Sequence, residues 1–193
     1  IKLFKRFMYN TWTFFYYNTI MPRISVDLIY MQMAYQIAKL SYAKRRRVGC
    51  VIVKDTQIIS TGYNGTPHGF ENECEEVKTE TQYYENPDIA ITLTEDHGFT
   101  CENGCCTKDV QTTRREVLHA ESNALAKISK STLSSNGADL YTTTCPCFDC
   151  AKLIIQSGIK RVFYSEDYRD MSGVALLEKA GIETKEVICW NGL

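Results

Sequence analysis

The side chains best suited to chemistry fall in two short runs, His119-Ala120-Glu121 and Pro146-Cys147-Phe148-Asp149-Cys150. Each run stands where a helix is predicted to begin. Two cysteines three positions apart at a helix start lie on one face, so both sulfurs can reach a single ion. His119, 28 residues before Cys147, brings an imidazole from the start of another helix. One nitrogen and two sulfurs are a donor set that zinc accepts tetrahedrally, and three protein ligands leave the fourth position to water. Zinc lowers the pKa of such a water to about 7. Glu121 supplies a carboxylate beside the metal rather than on it, placed to take the water's proton and pass it on. A purely structural zinc would take four protein ligands. Cys145 is the neighbouring thiol, but directly before Pro146 it is expected to point elsewhere.

The elements that must position these groups follow from the apolar pattern. Ser25 can cap a helix running to about Ala43, with Ile29, Met33 and Ile37 beside Tyr30, Ala34 and Ala38 on its apolar face. Residues 48–54 and 57–62 read as two strands joined by a turn at Asp55-Thr56, hence a hairpin. Residues 64–115 are polar and lack sustained periodicity, so they are predicted to form a long loop, a feature compact domains rarely keep without a use. Helical spacing returns over 119–130, in Ala120, Ala124, Leu125 and Ile128. A strand at 138–143 follows, then a helix opened by Pro146 and closed by Gly158, a strand at 161–164, a helix ending at Gly181 and a last strand at 182–188. Strand and helix alternate through this half, which predicts parallel strands covered by helices.

Composition bounds the rest. A chain of 193 residues with 44% hydrophobic content suits one domain with its own core. No run approaches the ~18 consecutive apolar residues of a membrane span. Residues 71–109 carry eleven acids and two bases, a local net of −9, which leaves the remainder at +8. A basic body suits an anionic ligand, although scattered solubilising lysines give the same count. Nine cysteines, an odd number with one Cys-x-x-Cys pair, point to a reduced cytoplasmic protein using thiolates for metal. Residues 1–20 hold eight of the 22 aromatics and no acid. They are expected to be an extension outside the functional domain, with Met21 the natural start.

These motifs together resemble the cytidine/deoxycytidylate deaminase superfamily, whose zinc signature is H-x-E followed by P-C-x-x-C. The stretches Lys44–Gly49, Ser60–Phe70, Leu118–Glu121, Cys150-Ala151-Lys152 and Gln156–Lys160 are similar to its deoxycytidylate (dCMP) branch, and the Gly-Tyr-Asn-Gly run with Pro67 and Gly69 is the branch-specific part. The likeness runs from about Ile29 to Ile188, with 75–112 as an insertion. It implies an α/β fold, a three-layer α/β/α sandwich with a five-stranded mixed sheet. It also implies hydrolysis of dCMP to dUMP and ammonia by a zinc-activated water, homo-oligomers (often hexamers), activation by dCTP and inhibition by dTTP, and Mg2+ with such an effector. The compartment is expected to be the cytoplasm, or the host's if the source is viral, with no membrane or nucleic-acid partner.

By the same resemblance Asn64 hydrogen-bonds the substrate sugar, Ala120 belongs to the substrate site, and Tyr168 stacks on the cytosine ring. An Asn-Gly pair is also a common tight turn. Arg169 and Lys130 are candidates for the 5′-phosphate, Lys130 because it lies about three helical turns beyond His119 on the same face. Gly62, Tyr63, Gly65 and Thr66 are expected at an allosteric nucleotide site, where glycines let backbone amides approach an anion. Lys44–Arg47 could meet phosphates there, or be a solvated basic run. Cys74, just before the insertion, with His97, Cys101 and either Cys105 or Cys106 inside it, could bind a second, structural zinc, as the resemblance to some phage members implies; the alternative is an acidic loop without metal. Two other readings stay open. One is a zinc deaminase of free cytidine or deoxycytidine, tRNA adenosine or single-stranded DNA. The other is a non-catalytic nucleotide binder, against which the intact Glu121 counts.

Overall fold

The computed structural model describes residues 24–83, 93, 98–166 and 170–189. Strands β1 (Gly49–Lys54) and β2 (Gln57–Tyr63) pair as an antiparallel hairpin. Its turn residues Asp55 and Thr56 take φ of 49° and 64°, the doubly positive geometry that suits two-residue hairpins. Ile52 faces Ser60 while Val53 faces Ile58, so Ile59 is the extra residue of a bulge. Strand β6 (Asp139–Thr144) joins the other edge of β1 antiparallel, and β7 (Arg161–Glu166) and β8 (Glu183–Glu186) follow in parallel. The resulting mixed sheet has the order β2-β1-β6-β7-β8.

Alternation along the central strands divides the core in two. Cys50, Ile52, Leu140 and Val162 face one way. They meet Ala120, Ala124 and Ile128 of helix α2 (Ala120–Ile128), Ala151 and Ile154 of α3 (Phe148–Gln156), and Leu177 of α4 (Ser172–Lys179). Val51, Val53, Tyr141 and Phe163 face the other way, onto Met31 and Ala34 of α1 (Val26–Ala38). The Tyr141 and Phe163 rings stack with centroids 4.6 Å apart. Helices therefore cover both faces of the sheet, as the alternation predicted, in the three layers that the family resemblance implied. No described helix is long and apolar enough to cross a membrane.

Two expectations need correction. Helix α1 stops at Ala38 rather than near Ala43. Its last turn tightens through bonds from the Leu40 and Ser41 amides to Ile37 and Ala38, and Ser41 Oγ then accepts the Ala43 N–H and donates to the Asn64 carbonyl, turning the chain. The buried side of α1 is Met31, Ala34 and Ala38, while Ile29 and Met33 are about two-fifths exposed, at 39% and 40%.

The second correction concerns residues 64–115. Instead of one long loop they contain a three-stranded antiparallel sheet of β3 (Glu75–Tyr83), β5 (Cys105–Thr113) and β4 (Thr100–Glu102), in that order. Asn103-Gly104, with φ of 49° and 79°, closes the β4–β5 hairpin. Cys101 and Cys106 face each other across it and form a disulfide, so this pair departs from the expected all-reduced chain.

Candidate active site

Both chemistry-bearing runs start helices that close approach to neighbouring backbone holds in place. A Cβ added at Gly62 of β2 would lie 2.1 Å from the Ala120 carbonyl oxygen, so α2 rests directly on the strand. Ser60 Oγ donates to the Ala124 carbonyl at 2.7 Å, and Asn123 Nδ2 to that of Tyr63 at 2.8 Å. On the other side, a Cβ at Gly173 would lie 2.1 Å from the Pro146 carbonyl oxygen, so the start of α4 packs against the approach to α3. His119 and Cys147 occupy the positions just before α2 and α3, and Cys150 lies in the first turn of α3. Two positive helix ends therefore converge on one spot, a contribution that favours anionic groups there and that burial opposes.

There Cys147 Sγ lies 3.4 Å and Cys150 Sγ 3.5 Å from His119 Nδ1. The three donor atoms fall within 4.8 Å of one another, and no other such group of ligating side chains exists among the described residues. Tetrahedral bonds of about 2.3 Å to sulfur and 2.0–2.1 Å to nitrogen place those atoms about 3.5 Å apart, so the set fits zinc. Hydrogen bonds from Cys150 and then from His119 hold the Cys147 thiol down at about 4, while the bond to Cys147 and burial push Cys150 up. The bond to Cys147 also raises His119. Glu121 is only 4% exposed, and burial lifts its carboxyl to about 7. Cys145 is buried with its sulfur 3.6 Å from Met171 Sδ and stands outside the ligand set, as its place before Pro146 suggested.

A cavity of about 390 Å3 opens onto this group. Its lining includes His119, Ala120, Glu121 and Cys147 together with Arg45, Arg46, Glu75 and Thr113. Asn64 also lines it. The Asn64 amide is already engaged with the chain, since Oδ1 accepts the Val48 N–H at 2.8 Å and Nδ2 donates to the Arg46 carbonyl at 2.9 Å. One lone pair and one N–H of that amide remain for a ligand. The Arg46 guanidinium pairs with Glu166 at 2.6 Å, and Glu166 also accepts from Tyr35.

The other expected residues divide. Tyr63, Gly65 and Thr66 line a second cavity of about 440 Å3, with Lys127 and Phe70. Gly62 does not join them; it is buried under α2, and its missing side chain serves helix packing. Lys130 lies past the far end of α2, about 16 Å along the helix from His119 at 1.5 Å per residue, so sharing a face does not bring it to the cavity. The suggested second zinc set is not assembled. Cys74 packs with Ala43 and Val117 at one end of β3, Cys105 pairs with Tyr83 at the other, and eight residues of strand span about 27 Å. Cys101 and Cys106 are already joined to each other. His97, Tyr168 and Arg169 lie outside the described residues. Sequence reasoning missed Arg45 and Arg46 as cavity residues, having set the Lys44–Arg47 run beside the glycine loop. The usable signal was that this run leads directly into β1, the buried strand beside β6, from whose end the second ligand run departs.

The chain is similar to known proteins in sequence and in fold. The family described as the cytidine and deoxycytidylate deaminase zinc-binding region matches residues 24–166. Deoxycytidylate deaminase of Schizosaccharomyces pombe is 37% identical over 175 residues, and that of Saccharomyces cerevisiae 35% over 170. These alignments cover 86% and 85% of the chain but only 45% of either relative, so the chain spans about half their length. Deoxycytidylate deaminase of Enterobacteria phage T4 is 36% identical, over 81% of the chain and 87% of its own length. The crystal structure of dCMP deaminase from cyanophage S-TIM5 in complex with dCMP and dUMP superposes with a TM-score of 0.65 at 33% identity, covering 86% of the chain and 100% of that protein. The chain belongs to the cytidine and deoxycytidylate deaminase family.

Proposed function

We propose that the protein hydrolyses dCMP to dUMP and ammonia. The observation that carries this is the joint placement, around one cavity, of the His119–Cys147–Cys150 group, the buried Glu121 carboxyl and two arginines. A zinc ion held by the three ligands supplies Lewis acidity that brings a water's pKa to about 7. Glu121 takes one proton from the attacking water to the ring nitrogen as the C4–O bond forms, and then carries the second, from the added hydroxyl, to the amine, which leaves as ammonia as the C4–N bond breaks. Arg45 and Arg46 give the cavity the positive charge that a 5′-phosphate needs, and an arginine fork binds phosphate through paired N–H groups. Asn64 offers its remaining donor and acceptor to the sugar. Tyr168 and Arg169, next after Glu166 and Asp167, complete the ring and phosphate contacts in this reading.

The same reading gives one zinc per chain and a cytoplasmic homo-oligomer such as a hexamer. It places dCTP or dTTP, with Mg2+, in the second cavity. Tyr63, with Lys127 Nζ 5.3 Å from its ring centroid, is the support there. Ammonia release from dCMP, deoxycytidine and a short single-stranded oligonucleotide tests the substrate. The expected order puts dCMP first by at least about tenfold in kcat/KM. A preference for the oligonucleotide or the free nucleoside contradicts the reading.

A further inference from the structure

The inserted sheet is rooted on the arginine that rims the catalytic cavity. Glu75 opens β3, Thr113 closes β5, and the two face each other in register. One Glu75 carboxylate oxygen, Oε1, accepts from the backbone N–H groups of Lys44 at 2.9 Å and Arg45 at 3.1 Å. Two successive N–H groups converging on one oxygen make a backbone cup for an anion, and a charged acceptor binds there more firmly than a neutral one. The Arg45 side chain is reached from the same root, with Nη1 lying 3.4 Å from Thr113 Oγ1. Arg114 stiffens the root by donating its backbone N–H to the Cys74 carbonyl at 2.9 Å and its Nε to that of Glu75 at 3.2 Å. Glu75, Thr113, Arg45 and Arg46 line the same cavity as His119 and Glu121. The central sheet holds Arg46 through Glu166, whereas the insertion holds Arg45.

We propose that Glu75, assisted by Thr113, is a positioning residue that fixes Arg45 at the cavity rim for the substrate's 5′-phosphate. The insertion thereby sets the preference for a nucleotide over a nucleoside. This rests on the reading that a 5′-phosphorylated nucleotide fills the cavity. Without the carboxylate the Lys44-Arg45 backbone has no fixed acceptor, and the guanidinium searches a wider arc before it meets phosphate. The zinc ligands and Glu121 stand on other elements, at the starts of α2 and α3, and Glu75 is not bonded to them, so the loss is expected to fall on binding.

Steady-state kinetics of the zinc-loaded full chain on dCMP and deoxycytidine, with zinc content and thermal melts recorded for each variant, test the proposal. Glu75→Ala is expected to raise KM for dCMP about tenfold with kcat changed by less than about threefold, so that the dCMP-to-deoxycytidine ratio of kcat/KM falls about tenfold. Glu75→Gln keeps an acceptor oxygen and is expected to restore most of that ratio. Thr113→Val is expected to lower it about two- to threefold. An unchanged ratio in Glu75→Ala, or equal losses on both substrates, overturns the proposal. If Glu75→Ala fails to melt cooperatively, Thr113→Val decides: a fallen ratio supports the proposal and an unchanged one overturns it. A wild-type chain that turns over deoxycytidine as readily as dCMP removes the nucleotide reading itself, and the proposal with it. That result is distinct from a wild type that prefers dCMP and variants that keep the preference.

Discussion

Cys147 and Cys150 reach the same imidazole nitrogen because a three-residue step at a helix start returns to one face, and because His119 stands at the start of the neighbouring helix. That much was legible in the sequence, since the chemistry dictates both the residue types and their spacing. Asn64 was legible only in part. Its amide turns out to brace the Arg46 and Val48 backbone as well as line the cavity, and such a long-range brace leaves no local pattern. Lys130 was misplaced because a shared helical face ignores distance along the axis. At this scale, Cys150→Ser replaces a soft thiolate with a poor zinc donor. Zinc affinity in a chelator competition is expected to fall by more than the roughly 10–100-fold that loss of an outer-sphere partner costs. Full zinc retention would show that Cys150 is no ligand.

Among the elements, the strands buried on both faces announced themselves. Cys50–Val53 and Leu140–Tyr141 are apolar without interruption, and the helices between them carry small residues where they press on the sheet. The inserted sheet was illegible for the opposite reason. From Lys78 to Tyr83 strand β3 is exposed throughout, so neither face needs apolar side chains and alternation has nothing to report. Its one clear local signal was the Asn103-Gly104 pair, a favoured two-residue hairpin turn. Gly62 was read as a loop glycine, yet its role is contact between α2 and β2. Gly62→Val would drive a side chain into the Ala120 backbone, which cannot swing aside. The expected cost is about 1–3 kcal/mol, seen as a lower midpoint in urea, with reduced turnover because α2 carries His119 and Glu121. A variant as stable and active as wild type would mean the helix does not sit where it is described.

For the whole molecule, the organising fact is that two helices bring their starts to one side of the sheet, and the ligands tie those helices together. Zinc bound only by the folded chain therefore adds to stability. With zinc at ~100-fold its Kd, chelation is expected to lower Tm by roughly 5–10 °C, and zinc repletion to restore both Tm and activity. An unchanged melt after verified zinc removal would contradict the link. The layered fold was readable because alternating strands and helices admit few arrangements. The meeting of the Lys44–Arg47 run with the insertion's root was not readable, because Arg45 and Thr113 are 68 residues apart and no periodicity connects them.

In the proposed zinc-dependent deamination Glu121 moves the proton without holding the metal. The most direct measurement is dUMP formation from dCMP by the wild-type chain and Glu121→Gln, with zinc counted in both. Equal zinc and a loss of about 100–10,000-fold in kcat are expected for the variant. Wild-type-like turnover in Glu121→Gln, or a zinc-loaded wild-type chain that leaves dCMP untouched, would contradict that proposal.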